Sequence, residues 1–156
     1  MVFSTPATRF LDGKSISYRV FTHADLPVSL EDAAIERGQV IGQIIRSILF
    51  RIQQDQYVLV LVAGDRHISW KRVRSHLGVS RLSLATGNEV RQITGYEIGT
   101  VNPFGLPVPI RFLVDKNTFI HKEISIGSGL RGSAILLQSR DLFVALENLE
   151  MGDFSD

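Results

Sequence analysis

Two apolar, β-branched runs, Ile44 to Ile52 and Gln56 to Ala63, stand on either side of Gln53-Gln54-Asp55. No other feature constrains the fold as tightly. Runs of this length with a short polar break between them are the pattern of a β-hairpin. The second run is almost uninterrupted in its apolar character, which predicts a strand buried on both faces. A sheet buried that way needs helices against it, and the flanking sequence supplies them. Thr5-Pro6 predicts a capped helix to about Leu11. Ser29, with Glu31 and Asp32 in the first turn, predicts a helix ending near Gly38. Ser69 opens a helix with Trp70, Val73 and Leu77 on one face, stopped by Gly78. Thr86-Gly-Asn-Glu89 is a capping box for another, and Ser139-Arg-Asp141 predicts the cap of a last one.

Strands are expected over Ile16–Thr22, Arg81–Leu84, Ile110–Val114 ending at Asp115, Glu123–Ile126 and Ala134–Gln138. The stretch Gly95 to Pro109 is rich in glycine and proline, so it reads as a long irregular loop of the kind that carries function. These elements predict one mixed α/β domain over residues 1–150, with a curved, mainly antiparallel or mixed sheet and flanking helices. Residues 151–156 read as a polar, frayed tail. At 156 residues, 44% hydrophobic and 21% charged, the chain suits one globular domain.

Composition narrows the chemistry. Cysteine is absent, which excludes disulfides, thiolate metal sites and a cysteine nucleophile, and fits a cytoplasmic location. His23, His67, His76 and His121 fall at no ligand spacing, so no metal and no other cofactor is expected. The longest apolar run, Tyr57 to Ala63, is too short to span a bilayer, and no secretory signal or membrane partner is expected. A net charge of +1 means that any nucleic-acid binding must come from a local patch.

Several blocks then add up in order. They are Gln43-Ile-Ile-Arg-Ser-Ile-Leu-Phe-Arg51, Ala63-Gly-Asp65, Ala85-Thr-Gly-Asn-Glu-Val90 and Thr94-Gly-Tyr-Glu-Ile-Gly-Thr-Val-Asn-Pro-Phe-Gly105. Val114-Asp115, Ile126-Gly-Ser-Gly129 and Ser139-Arg-Asp-Leu142 follow. From about Ala7 to Leu146 the chain resembles the YbaK/prolyl-tRNA-synthetase-associated family. The most specific element is Gly99-x-x-x-Pro103. The resemblance implies a mixed α/β fold around a curved sheet. It implies hydrolysis of the ester of mischarged aminoacyl-tRNA, commonly alanine or cysteine on prolyl-tRNA, without metal or covalent intermediate. Aminoacyl-tRNA and an aminoacyl-tRNA synthetase are the implied partners. The family's lysine is replaced here by Arg46, and its usual threonine by Ser47. The histidine that some members carry near the second glycine-rich stretch has no counterpart in Gly127-Ser-Gly-Leu-Arg-Gly132. A catalytically impaired homologue that binds tRNA, an amino acid or a protein is the alternative.

Read for chemistry, Gly99, Thr100 and Val101 are candidate backbone donors to a developing oxyanion, held by Pro103; without the family context the same stretch reads as a surface turn. Arg46 shares a strand face with Ile44 and Ile48. It is either a substrate or tRNA contact or half of an ion pair, for example with Asp115. Tyr18, His23, Ser47, Asn102, Asp115, Ser128 and Gly129 are candidate pocket residues. For Tyr18 a core position, and for Asp115 a turn role, are the competing readings. The glycines of Gly127-x-Gly129-x-x-Gly132 lack the βαβ context of a dinucleotide fingerprint and read instead as a tight turn. The helix after Ser69 carries Lys71, Arg72, Arg74 and His76, and Arg66, His67 and Arg81 flank it. This basic face, with Arg66, Lys71 and Arg74 as the candidate tRNA contacts, is either a phosphate-binding patch or an ordinary solvated face.

Overall fold

The computed structural model describes residues 3–156. In chain order the elements are α1 (Pro6–Gly13), β1 (Tyr18–Thr22), α2 (Leu30–Arg37), β2 (Ile44–Gln53), β3 (Gln56–Ala63), α3 (Trp70–Leu77), β4 (Ser83–Leu84), α4 (Gly87–Thr94), β5 (Arg111–Asp115), β6 (Glu123–Gly127), β7 (Ser133–Gln138), α5 (Leu142–Ala145) and β8 (Glu150–Gly152). All eight strands form one sheet in the order β1-β7-β6-β2-β3-β5-β8, with β4 on β2. The pairs β1/β7, β6/β7, β2/β3 and β2/β4 are antiparallel, and β2/β6, β3/β5 and β5/β8 are parallel. The architecture is the mixed α/β one expected.

The hairpin explains itself residue by residue. Asp55 takes a left-handed φ of 62° in the tight connection, and the register shifts between Arg51 and Gln53. Val58 to Val62 are fully buried. Alternation divides the first four between two clusters. Leu59 and Leu61 join Ile45, Leu49, Val114, Ile124, Ile126 and Ile135, whereas Val58 and Val60 join Phe50, Val73, Leu113 and Phe154. Each such side chain contributes about 1.5–3 kcal/mol by burial. The helix boundaries follow their caps. Ser29 accepts from the Asp32 amide at 3.1 Å, Ser69 from the Arg72 amide at 3.2 Å, and Thr86 and Glu89 form the reciprocal box. Trp70 is the exception to its expected core face: it lies half-exposed, edge-on to Phe50 at 4.9 Å.

The chain after Glu150 is not a frayed tail. β8 runs parallel beside β5, Phe154 is buried in the second cluster, and Ser155 bridges to Ile68. The expectation rested on a polar composition; one aromatic residue and the unfilled edge of β5 outweigh it. The last helix is also shorter than expected. Ser139 begins a 3-10 turn (Ser139–Asp141) and donates its hydroxyl to His121 O at 2.7 Å, while Asp141 makes no cap hydrogen bond.

Candidate functional site

The parallel strands β2 and β6 pair only at Ile44–Ser125 and Ile45–Ile126, and then part. In that fork lies a cavity of about 290 Å³. Parallel partners share a face, so Arg46, two residues after Ile44, follows Ser125 and Gly127 onto one side of the sheet. The cavity floor is apolar (Ile45, Val101, Ile126, Ala134), and its walls carry Arg37, Arg46, Ser47 and Gly99. A second recess of about 260 Å³ shares Arg37, Gly99 and Ser133 and adds His23 and Arg131. A larger hollow, about 900 Å³, lies between Phe10, the 103–112 segment and Glu147, and its charged residues are paired with one another, Lys14 with Glu147 and Arg111 with Glu150.

The Gly95–Pro109 loop reaches the fork because its own polar groups fix it. Tyr96 donates its hydroxyl to Phe104 O at 2.6 Å, and burial pushes that phenol up to about 12. Asn102, fully buried, accepts from the Phe104 amide at 2.9 Å. The Gly129 amide donates to Thr100 O at 3.1 Å. Beneath the loop, a Cβ on Gly127 would stand 2.5 Å from Val101 O and 2.8 Å from Thr100 O, so only glycine lets the loop rest on β6. Gly99 itself has a φ of 90°, left-handed territory that suits glycine. The Thr100 amide is already committed to Glu97 O at 3.0 Å and is not an available oxyanion donor. The Val101 amide has no acceptor among the described residues, and Val101 lines the cavity.

Arg46 does not form the ion pair with Asp115. Its Nε donates to Gly64 O at 2.7 Å and its Nη2 to Arg66 O. Burial lowers its pKa, partly offset by Asp65, yet a guanidinium stays charged. Asp115 is fully buried and accepts from the amides of Phe154 at 2.8 Å and Asn117 at 3.1 Å, the turn role rather than a pocket role.

A second guanidinium, Arg37, was not singled out by the sequence. It donates from Nε to His23 Nε2 at 3.1 Å and from Nη1 to Ser125 Oγ at 3.0 Å. Burial depresses its pKa and Glu36 opposes that. Sitting one residue before the Gly38 cap, it reads as an ordinary helix-terminal cation. A third, Arg131, places both terminal nitrogens 3.8 Å from where a side chain at Gly99 would begin. Its segment reads as glycine-rich, which hides the arginine. No carboxylate lines either cavity.

The other expected residues divide. Ser47 lines the cavity, and its buried hydroxyl has no hydrogen-bond partner. His23 lines the second recess; its Nδ1 lies 3.3 Å from Glu36 Oε1 but off the line of a hydrogen bond. Tyr18 lines neither cavity: it packs against the core and donates to Asp12 Oδ1 at 2.9 Å. Asn102 and Ser128 are buried and spent on loop geometry, Ser128 meeting Ser133 Oγ at 2.6 Å. Gly129, φ 90°, lies against the Tyr96 ring, and Pro103 faces the large hollow instead.

Before α3, Arg66 is tied to Ser155 at 2.7 Å; on α3, Arg72 pairs with Asp153 at 2.9 Å and with Asp156, and His76 meets Glu150 at 2.9 Å. Lys71 and Arg74 make no ion pair among the described residues. Among these residues no three acidic or histidine side chains gather as a metal site, and no helix is long and apolar enough to cross a membrane.

A model of the aminoacyl-tRNA editing domain matches residues 27–144. The uncharacterized protein YwhH of Bacillus subtilis (strain 168) is 35% identical over 114 residues, 73% of this chain and 72% of its own length. The multifunctional Ser/Thr-tRNA deacylase ProXp-y of Escherichia coli (strain K12) is 27% identical over 135 residues, 84% of this chain and 80% of its own. Among solved structures, one described as a candidate trans-editing enzyme for prolyl tRNA synthetase superposes with a TM-score of 0.88 at 23% identity, covering 99% of both chains. That likeness shows the fold.

Proposed function

The chain belongs to the aminoacyl-tRNA editing domain family, and from that premise we propose that it is a trans-acting deacylase that hydrolyses the ester of a mischarged tRNA carrying a small amino acid. One observation supports this above the rest. Arg46, Val101 and Gly99 border one 290 Å³ cavity that holds no carboxylate and has an apolar floor, and the Val101 amide has no acceptor among the described residues. That volume suits the end of an aminoacyl-adenosine and little more.

In this reading the side chain of the amino acid enters toward Ile45, Ser47 and Ile126. The Val101 N–H points at the carbonyl oxygen as it gains charge, and its being uncommitted in the free protein is the preorganisation that such a donor requires. Arg46 holds the terminal ribose. A water oxygen attacks the carbonyl carbon, the carbon–oxygen bond to the ribose breaks, and the ribose oxygen takes a proton. No carboxylate or histidine lines this cavity to serve as a base, so the vicinal ribose hydroxyl of the substrate is assigned to activate the water. Selection by size discriminates by about 1–3 kcal/mol per methylene. The unit that acts is the one domain that includes β8 and the buried Phe154, and its partners are aminoacyl-tRNA and the synthetase that mischarges it.

One observation favours the second reading, a binding module without turnover. The Arg46 guanidinium is already bonded to two backbone carbonyls. A deacylation assay across mischarged tRNAs separates the two. Hydrolysis that falls about a hundredfold in Arg46→Ala supports the enzyme. Tight tRNA binding with no hydrolysis of any ester supports the module.

A further inference from the structure

We propose that the recess beside the fork is a phosphodiester subsite, in which Arg37 and Arg131 clamp the backbone phosphate attached to the terminal adenosine of the substrate. The inference rests on the reading of the fork cavity as the ester site and adds to it a second, separately testable contact.

The two hollows meet at Gly99, which lines both. An ester seated in the fork therefore has its nucleotide leaving past Gly99, and the first anion on that path is the phosphate on the 5′ oxygen of the terminal ribose. Arg37 and Arg131 stand there, and no carboxylate lines the recess to neutralise them. Arg37 is half-buried with no carboxylate in the recess, which is costly unless an anion completes it, while Arg131 stands exposed at the rim.

Arg37 is built for the purpose. Two neutral acceptors, His23 Nε2 and Ser125 Oγ, take its Nε and Nη1, and Ser125 is held in turn by Gln39 at 2.7 Å. Nη2 is left with no acceptor among the described residues. Arg131 commits only Nη2, to Ile98 O at 3.4 Å, and keeps Nη1 uncommitted. Two guanidinium groups with donors to spare match the tetrahedral oxygens of a phosphate. Glu36 acts on Arg37 from outside the recess, 3.3 Å from His23 Nδ1 while His23 Nε2 takes the Arg37 Nε hydrogen bond, so His23 positions Arg37 and leaves the recess without a carboxylate of its own.

The test compares three aminoacyl esters with the full chain: on adenosine, on adenosine 5′-monophosphate, and on the dinucleotide cytidylyl-adenosine. The expected result is a KM about tenfold lower for the two phosphate-bearing esters than for the bare adenosine ester. In Arg131→Gln, an exposed change that leaves the core alone, and in Arg37→Gln, that ratio falls toward one. A wild-type ratio of one, or a ratio preserved in both variants, overturns the subsite while leaving the deacylase reading intact. A preference for the monophosphate that the dinucleotide does not share means that a free phosphate monoester is recognised, and also overturns it. If no ester is hydrolysed, the deacylase reading fails by itself. Calorimetric binding then decides the subsite: cytidylyl-adenosine binding more tightly than adenosine, with the difference lost in Arg131→Gln, upholds it, and equal binding refutes it.

Discussion

Two regions of this molecule are rich in arginine, and they are opposite in kind. On and just before α3 the basic side chains are the obvious feature of the sequence, yet the C-terminal segment answers three of them: Asp153 and Asp156 meet Arg72, Glu150 meets His76, and Ser155 takes Arg66, while Lys71 and Arg74 make no ion pair among the described residues. Around Gly99 the arginines come one at a time from distant parts of the chain, Arg37, Arg46 and Arg131, and their acceptors are carbonyls, a hydroxyl and an imidazole. A basic run in sequence therefore says little about a binding surface. What matters is where the counter-charges go, and that is decided by tertiary pairing.

The sharpest way to break this contrast is at Gly127. Gly127→Ala would push a methyl group into the carbonyls of Thr100 and Val101 and lift the loop from the fork. Deacylation is expected to fall about a hundredfold, with a stability loss of about 1–3 kcal/mol seen as a lower Tm. Full activity in that variant would separate the loop from the chemistry. A smaller and subtler effect is expected at Ser47. Its buried hydroxyl is unpartnered, so Ser47→Ala should leave stability unchanged or raise it slightly. If that hydroxyl instead meets a polar side chain of the substrate, the ratio of seryl to alanyl ester hydrolysis falls about tenfold in the same variant.

The fold was largely legible because its signals are local. The hairpin, the caps at Ser29, Ser69 and Thr86, and the glycine stops at Gly38 and Gly78 are each set by residues within a few positions of one another. The loop at Gly99 was legible as a block of residues, but not which of its amides is uncommitted, since the Thr100 bond to Glu97 O depends on how the chain turns. Arg37 and Arg131 were invisible for a different reason. Their significance comes from a shared recess to which α2 and the β6–β7 turn both contribute, and no spacing in the sequence encodes that. Phe154 was misjudged because its polar neighbours dominate any window average.

The paired side of the comparison responds to acid. Arg111 and His76 hold the Glu150 carboxyl down to about 2. A depressed carboxyl contributes its stability in full above its ordinary value near 4.5 and loses it as pH falls from there toward about 2. Glu150→Gln should accordingly lower Tm by about 2–4 °C near neutrality, for a loss of about 1 kcal/mol, and the gap should close in acid melts. A gap that persists at the lowest pH would show that packing, not charge, holds β8. The smallest effect is expected on α3 itself. Lys71→Ala with Arg74→Ala should change the KM for aminoacyl-tRNA by no more than about threefold at physiological salt. A larger, salt-dependent loss would make that face part of the tRNA footprint.

The narrow join between β2 and β6 carries one more consequence. Along the main path of the sheet it is the shortest seam: a β1-β7-β6 panel and a β2-β3-β5-β8 panel are stitched by two residue pairs, with the cavity at the end of the stitching. Breathing motions concentrate where backbone pairing is thinnest. A tilt of the panels about that seam would widen or narrow the mouth of the cavity. Amide exchange at Ile45 and Ile126 would then report on how wide the mouth stands open, and a bound substrate would act as a clasp that slows it.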